Sequence, residues 1–371
     1  MEIPFAARGD EWNVVESLLP SGWEEQARIL GAFQRARYVG CPGDVLRLIL
    51  FHVMNDCGLR ATVAQARAAG LMSVSQVALL KRLRTAGPWL RWLAMELCRG
   101  LRERPELPGK LRPRAVDSTT IQGPAAKGTD WRLHYTLDLL TMGCDWHELT
   151  DAHGAEGLER TPVRHGDVLI GDRNYFRAKG VRVVVGNGAD VLVRMRWTHP
   201  KLVDDRGNEV SALSLARDLR VNTIGEWPVA IPGDGDSDIG ARIITVRLPD
   251  EVAKLAVKRM LKNAARRQKS PDPRSTEAAS FVMLFTTLPQ DVLEASKVTD
   301  LYRYRWQVEI AFKRHKQLLK LGKLPHKDPR AAESWILAKL VVALLLETLC
   351  RRSAAVSPWG YEFDKLQMGK N

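Results

Sequence analysis

LYRYRWQVEIAFKRHKQLLK, residues 301–320, decides how the rest of the chain is read. It holds two tyrosines, a tryptophan, one glutamate and six lysines or arginines. The pattern predicts one helix, starting near Val298. At about 100° per residue, with Tyr302 at 0°, Arg305 falls at about 300°, Glu309 at about 340° and Lys316 at about 320°. All four share an arc of roughly 60°. Leu301, Val308, Phe312 and Leu319 fall at about 240–280°, an apolar stripe beside it. The helix should pack by that stripe and present the row of four, which is about 21 Å long. Such a row suits several phosphates of one strand better than a single reacting atom. A solvated helix with an i,i+4 pair such as Glu309–Lys313 explains the charges. It does not explain why aromatic, basic and acidic groups share one arc.

Two aspartates upstream complete a candidate constellation. Asp117 follows the strand-like "RAV" and Asp172 follows "VLIG". Each stands at the carboxyl end of an apolar strand, where sites gather in open α/β sheets. Two carboxylates on neighbouring strands and Glu309 from a packed helix make an all-oxygen site of the kind Mg2+ takes. The plain alternative is that each aspartate is a turn or cap residue. Asp138, Asp145 and Asp151 lie in the same region and compete for the role.

Around these residues the chain divides by pattern. Residues 1–104 show apolar spacings of three and four and read as helical. Within them Gly70 ends one helix and Ser73 or Ser75 caps the next, which fits either a helix-turn-helix or a plain bundle. "RERPELPGKLRPR", 102–114, reads as a linker. From 105 to 195 strands dominate: "RAVDSTTI", a pair in "WRLHYTLDLLTMGCDWHELTDA" joined at "MGC", "GDVLIGDRNYF", and two apolar runs in "VRVVVGNGADVLVRM". Short helical pieces fit around 156–164 and 175–180. Residues 196–280 lose this rhythm and read as an inserted, largely β subdomain with a basic helix. A last strand, "SFVMLFTTL", opens the segment 281–345, and 346–371 reads as a short tail.

The chain has 371 residues and a net charge of +13, from 56 basic and 43 acidic side chains. That balance favours a polyanionic partner, nucleic acid first. The five cysteines form no CxxC pair, which argues against a zinc ribbon or disulfide framework and suits a reducing cytoplasm. No apolar signal core opens the sequence, and "WILAKLVVALLLETLC", 335–350, is too short to span a bilayer. No Walker loop, dinucleotide fingerprint or nucleophile elbow is present.

Y-x2-R-x3-E-x6-K, standing as Tyr302, Arg305, Glu309 and Lys316, resembles the YREK motif of bacterial insertion-sequence transposases of the DDE class, family four. Asp117 in "AVDST" and Asp172 in "GDRNYF" resemble that family's two aspartates, and "VSQVALLKRLRTAGPWLRWL" its N-terminal helical region. The resemblance covers about residues 58–320. It implies an RNase H-like core interrupted by a β-rich insertion and preceded by a helical DNA-binding domain. It implies Mg2+-dependent cut-and-paste transposition, with Mn2+ as a substitute ion. Asp117, Asp172 and Glu309 take the metal, and Tyr302, Arg305 and Lys316 sit at the DNA backbone. Phe281 matches the position of a base-stacking aromatic, with Trp197 and Trp227 as other candidates and plain core as the alternative for Phe281. The implied partners are double-stranded DNA, as terminal inverted repeats and target, and a second copy of the chain, in a bacterial cytoplasm at the nucleoid. The chain ends about fifty residues past the motif, where relatives often carry a longer pairing region. An RNase H-like nuclease or resolvase, and a non-catalytic DNA-binding remnant, are the rival readings.

Overall fold

The computed structural model describes residues 9–35, 39–102, 111–124, 128–198, 200–233, 237–266, 268, 270–317, 319–322 and 324–356. Five helices come first: α1 Gly9–Leu18, α2 Trp23–Ile29, α3 Pro42–Asn55, α4 Leu59–Ala68 and α5 Gln76–Arg102. Gly70, at φ 66°, ends the turn after α4, and the Ser75 hydroxyl accepts from Ala78 N–H at 3.1 Å to cap α5. Most of the expected linker, 103–110, lies outside the described residues.

A run of strands follows: β1 Arg112–Ile121, β2 Trp131–Asp138, β3 Gly143–Asp151 and β4 Asp167–Gly171. Then come α6 Ala178–Gly186, β5 Asp190–Arg194, α7 Ala212–Ala216, β6 Ile224–Ile231, β7 Ile239–Arg247, α8 Asp250–Arg266, α9 Pro273–Ala278 and β8 Phe281–Thr286. The chain closes with α10 Ala295–Arg303, α11 Gln307–Gln317 and α12 Pro329–Val356. The strands form one sheet in the order β3-β2-β1-β4-β5-β8-β7-β6. β4 and β5 run parallel to β1 and to each other, and the remaining pairs are antiparallel.

Strand periodicity explains the layers. Ala115, Ile170, Leu192, Ile244 and Leu284 enter one apolar core with α3, α5, α11 and α12. Their neighbours Val116, Leu169, Val191, Val193, Ile243, Met283 and Phe285 enter the opposite core with α6 and α7. Helices therefore cover both faces of the central strands. α12 packs along α5, where Gly87 leaves room: a Cβ there would stand 3.4 Å from the Ser334 hydroxyl. No helix among the described residues is long and apolar enough to cross a membrane.

Four expectations need correction. "VRVVV", 181–185, is helical, not a strand. β4 and β5 are parallel neighbours, so the chain between them has to cross over, and α6 does this with Val181 and Val184 turned into the core. The segment 196–280 is not separate from the core sheet. β7 pairs with β8, so the β6–β7 hairpin extends that sheet, and α7, α8 and α9 accompany it. The stretch 301–320 is not one helix, because a 3-10 turn at Tyr304–Trp306 divides α10 from α11. The boundary at 345/346 falls inside α12, which runs on to Val356, and 357–371 lies outside the described residues.

Candidate active site

The site forms where β4 ends beside the middle of β1: Asp172 follows the last residue of β4, but Asp117 is the sixth of ten residues in β1, not at its carboxyl end as its sequence position suggested. Their parallel register pairs Ala115 with Ile170, so two residues further on Asp117 comes beside Asp172. Adjacent strands lie about 4.8 Å apart, which sets the spacing of the two backbones. Asp117 alternates onto the face of Ala115, the face that Val308 and Phe312 of α11 cover. The 3-10 turn before α11 also packs against β1. Strand order and helix packing thus bring the Glu309 helix over the two aspartates.

Gly171, immediately before Asp172, is required by contact. A Cβ at this position would stand 2.8 Å from Tyr175 Cβ and 3.4 Å from Val116 Cγ2. The turn after it is closed by Tyr175 N–H donating to the Asp172 carbonyl at 3.1 Å. Asp172 Oδ1 accepts from Asn174 N–H at 2.7 Å, and Asp117 Oδ1 from Ser118 N–H at 2.8 Å. Neither aspartate is ion-paired with a described residue.

Charge at this edge is unbalanced. Burial raises the Asp117 carboxyl to about 6, and Asp172 and Glu156 push it the same way. The Ser118 N–H and the Arg305 guanidinium oppose them. Arg305 donates to Glu309 Oε1 at 2.6 Å and lies 5.9 Å from the Tyr302 ring centre. Arg305 therefore stands as the cation between the strand carboxylates and Glu309, whose side chain is 49% exposed. The oxygens of Asp117, Asp172 and Glu309 do not all gather within 4.8 Å of one another.

Tyr302, Arg305 and Glu309 stay together although the helix is broken there. Lys316 stands about two turns beyond Glu309 on the same helix, α11. It lines a depression of about 530 Å3 with Asp56, Lys320, Gly322, Leu324, Pro325 and Trp335. A 3-10 turn advances about 120° per residue rather than 100°, so the single-helix arc does not hold across it. Phe281 is also displaced from the expected role: at 6% exposure it belongs to the core on the α6 face. Trp197 is half-buried on that same core, its ring covered by the Arg274 guanidinium at 4.6 Å, and Trp227 packs there too. The rings exposed beside the site are Tyr304 and Trp306.

The competing aspartates have structural work. Asp145 is buried against Arg114. Asp138 Oδ1 accepts from Leu140 N–H and Thr141 N–H at 2.8 and 3.0 Å, closing the β2–β3 turn. Asp151 Oδ1 accepts from His153 N–H at 2.9 Å. A fourth acid at the site, Glu156, is one that pattern reading missed. It accepts from the Ser118 hydroxyl at 2.7 Å and pairs with Arg132 at 2.9 Å. It lies in an irregular stretch with no periodicity to flag it. Ser118 beside Asp117 was the available signal.

The profile of the transposase DDE domain family matches residues 108–345. InsL, the transposase assigned to insertion sequence element IS186A of Escherichia coli K12, is 34% identical over 359 residues, covering 94% of this chain and 96% of that one. The transposase of insertion sequence element IS421 of Escherichia coli is 34% identical over 360 residues, with the same coverage. Among solved structures, a piggyBac transposase synaptic complex with hairpin DNA aligns over 92% of this chain and 74% of that one. Its TM-score is 0.46 and its identity 9%, a loose likeness.

Proposed function

Because this chain belongs to the DDE transposases of bacterial insertion sequences, we propose that Asp117, Asp172 and Glu309 form its metal site and act on the ends of a mobile element. One observation carries this reading: the two aspartates come side by side where β4 ends against β1, and Arg305 stands between Asp117 and Glu309. The order β3-β2-β1-β4-β5, with β1 to β3 antiparallel and β4 and β5 parallel to β1, is the arrangement expected of an RNase H-like core. The β6–β7 hairpin and its helices then enter between β5 and β8.

The donors are all oxygen, and Asp117 is pushed up by burial and, to a lesser extent, by the neighbouring acids Asp172 and Glu156. They fit Mg2+, with Mn2+ as a substitute. When bound, the metal activates the attacking oxygen and stabilises the leaving one. The chain itself supplies position and charge. Asp117 and Asp172 are fixed by backbone N–H donors. Glu309, now paired with Arg305, would hold the metal with the two aspartates, and the Arg305 guanidinium would then be free to face a phosphate. Tyr302 holds Arg305 by its ring face. Lys316, with Lys320 beside it, meets the backbone further along. Trp306 takes the stacking role expected of Phe281.

The substrate is double-stranded DNA, as the element's terminal inverted repeats and the target. Water cuts the phosphodiester at the element end, and the freed 3′-hydroxyl attacks the next one in cut-and-paste order. Two ends are paired by two copies of the chain. A simple nuclease or resolvase needs neither the hairpin extension nor the Tyr-Arg-Glu row, and a remnant without catalysis would not need all three carboxylates. The test uses Glu309→Gln in a gel shift and a Mg2+-dependent nicking assay on the same end DNA. Binding should persist, because it comes mainly from Lys and Arg contacts to phosphate, while nicking is lost. Unchanged nicking rejects the assignment.

A further inference from the structure

A second constellation lies away from the DDE carboxylates. Cys98 of α5 and Cys144 and His147 of β3 are buried, at 4%, 1% and 8% exposure. Their two sulfurs and one imidazole nitrogen all lie within 4.8 Å of one another. Residues three apart on a strand ordinarily face opposite sides. Here the register jumps from Thr136–Trp146 to Leu137–Cys144, leaving Asp145 as a bulge, and the bulge turns Cys144 and His147 the same way. Neither ring nitrogen of His147 has a partner in strict hydrogen-bond geometry, and the polar group the ring acts on is the Cys98 thiol.

We propose that Cys98, Cys144 and His147 are ligands of a structural Zn2+ ion that ties the N-terminal helices to edge strand β3. The sulfurs stand 3.7 Å apart. Two sulfurs at about 2.3 Å from one tetrahedral zinc stand about 3.8 Å apart, whereas a disulfide needs about 2.05 Å. Binding releases the two thiol protons to solvent, so two thiolates and Zn2+ make a neutral buried centre. No electron moves. Glu347 of α12 borders the site, its Oε2 accepting from Cys144 N–H at 3.0 Å.

The test measures zinc in the full-length protein, purified under reducing conditions and freed of loose metal by gel filtration. About one zinc per chain is expected. Cys98→Ser, Cys144→Ser and His147→Ala should each lower retention about tenfold or more. Cys57→Ser, Cys350→Ser and Asp117→Asn should leave it unchanged, the last separating this site from the DDE carboxylates. Should the ligand variants fail to fold, Co2+-substituted wild type still decides, since thiolate ligation gives near-ultraviolet charge-transfer absorption. Wild type with both thiols free and less than about a tenth of a zinc per chain overturns the proposal. So does a Cys98–Cys144 disulfide in the non-reduced protein, Co2+ bound without thiolate absorption, or zinc retained by a folded Cys98→Ser/Cys144→Ser double variant.

Discussion

At the amino ends of β1 and β4, Arg112 and Arg114 meet Asp167, and Arg114 also meets Asp145. Two cations face two anions, and Arg114 and Asp167 are 0% and 1% exposed. Where β4 ends beside the middle of β1, Asp117 and Asp172 stand together with no ion-pair partner among the described residues. One end is electrically closed and ties strands together. The other is open, its buried Asp117 carboxylate offset only in part by the Ser118 N–H and Arg305. Buried charge by itself therefore says little about role in this sheet, and the balance at each strand end says much.

Breaking the closed end should have the largest effect. Asp167→Ala takes away the carboxylate that Arg112 pairs with and leaves Arg114 with Asp145, and removing one partner of a buried pair costs about 3–5 kcal/mol. Urea unfolding should show the loss, while nicking per folded molecule stays near wild type. If stability holds and nicking falls, the amino end belongs to the chemistry and the contrast is wrong.

The open end should respond the other way. Asp117→Asn is expected to lose several kcal/mol of transition-state charge stabilisation, roughly 10²–10³-fold in nicking rate, without loss of fold. Single-turnover nicking in Mg2+ and circular dichroism on the same sample separate the two. Gly171→Ala probes the support beneath. Its Cβ would press on Tyr175, so a cost of about 1–3 kcal/mol in stability is expected, with cleavage reduced because Asp172 moves with the turn. Full stability with full activity would show that the close packing of this turn is dispensable.

Much of this was legible because β1, β4, β5, β7 and β8 read as short apolar runs and because Asp117 and Asp172 directly follow such runs. Tyr302, Arg305 and Glu309 were legible as a row because they are spaced three and four apart. Other features depend on contacts that no local pattern encodes. The β-branched run at 181–185 suits a strand, and only the parallel β4–β5 pairing makes it a helix. The turn at Tyr304–Trp306 contains no glycine or proline to announce it, so one continuous helix was read across it. Asp145 is distinguished from Asp117 only by its partner, Arg114, on another strand. Glu156 is joined to the site through Ser118 and Arg132, and the stretch around it has no period. His147 gave only a weak metal signal among scattered histidines, and its grouping with Cys98 and Cys144 was not legible because a β-bulge and a helix from another region bring the three together.

The smallest expected effect sharpens the comparison most, because it predicts a sign. Burial and two neighbouring acids raise the Asp117 carboxyl from an ordinary 3.8 to about 6. A carboxyl raised on folding favours the folded state when protonated. That contribution is complete below pH about 3.8 and is lost as pH rises through about 6. The whole shift would correspond to about 3 kcal/mol, which partial exposure and screening by Arg305 reduce to about 1–2 kcal/mol. Asp117→Asn carries no such penalty. In metal-free buffer it should match wild type near pH 4 and exceed its stability by about 1–2 kcal/mol at pH 7. Asp167→Asn should be less stable than wild type at pH 7, because that carboxylate is paired. The two amide variants of one sheet then shift unfolding midpoints in opposite directions. If Asp117→Asn shows no gain across this window, the Asp117 charge is already compensated and the open end is closed after all.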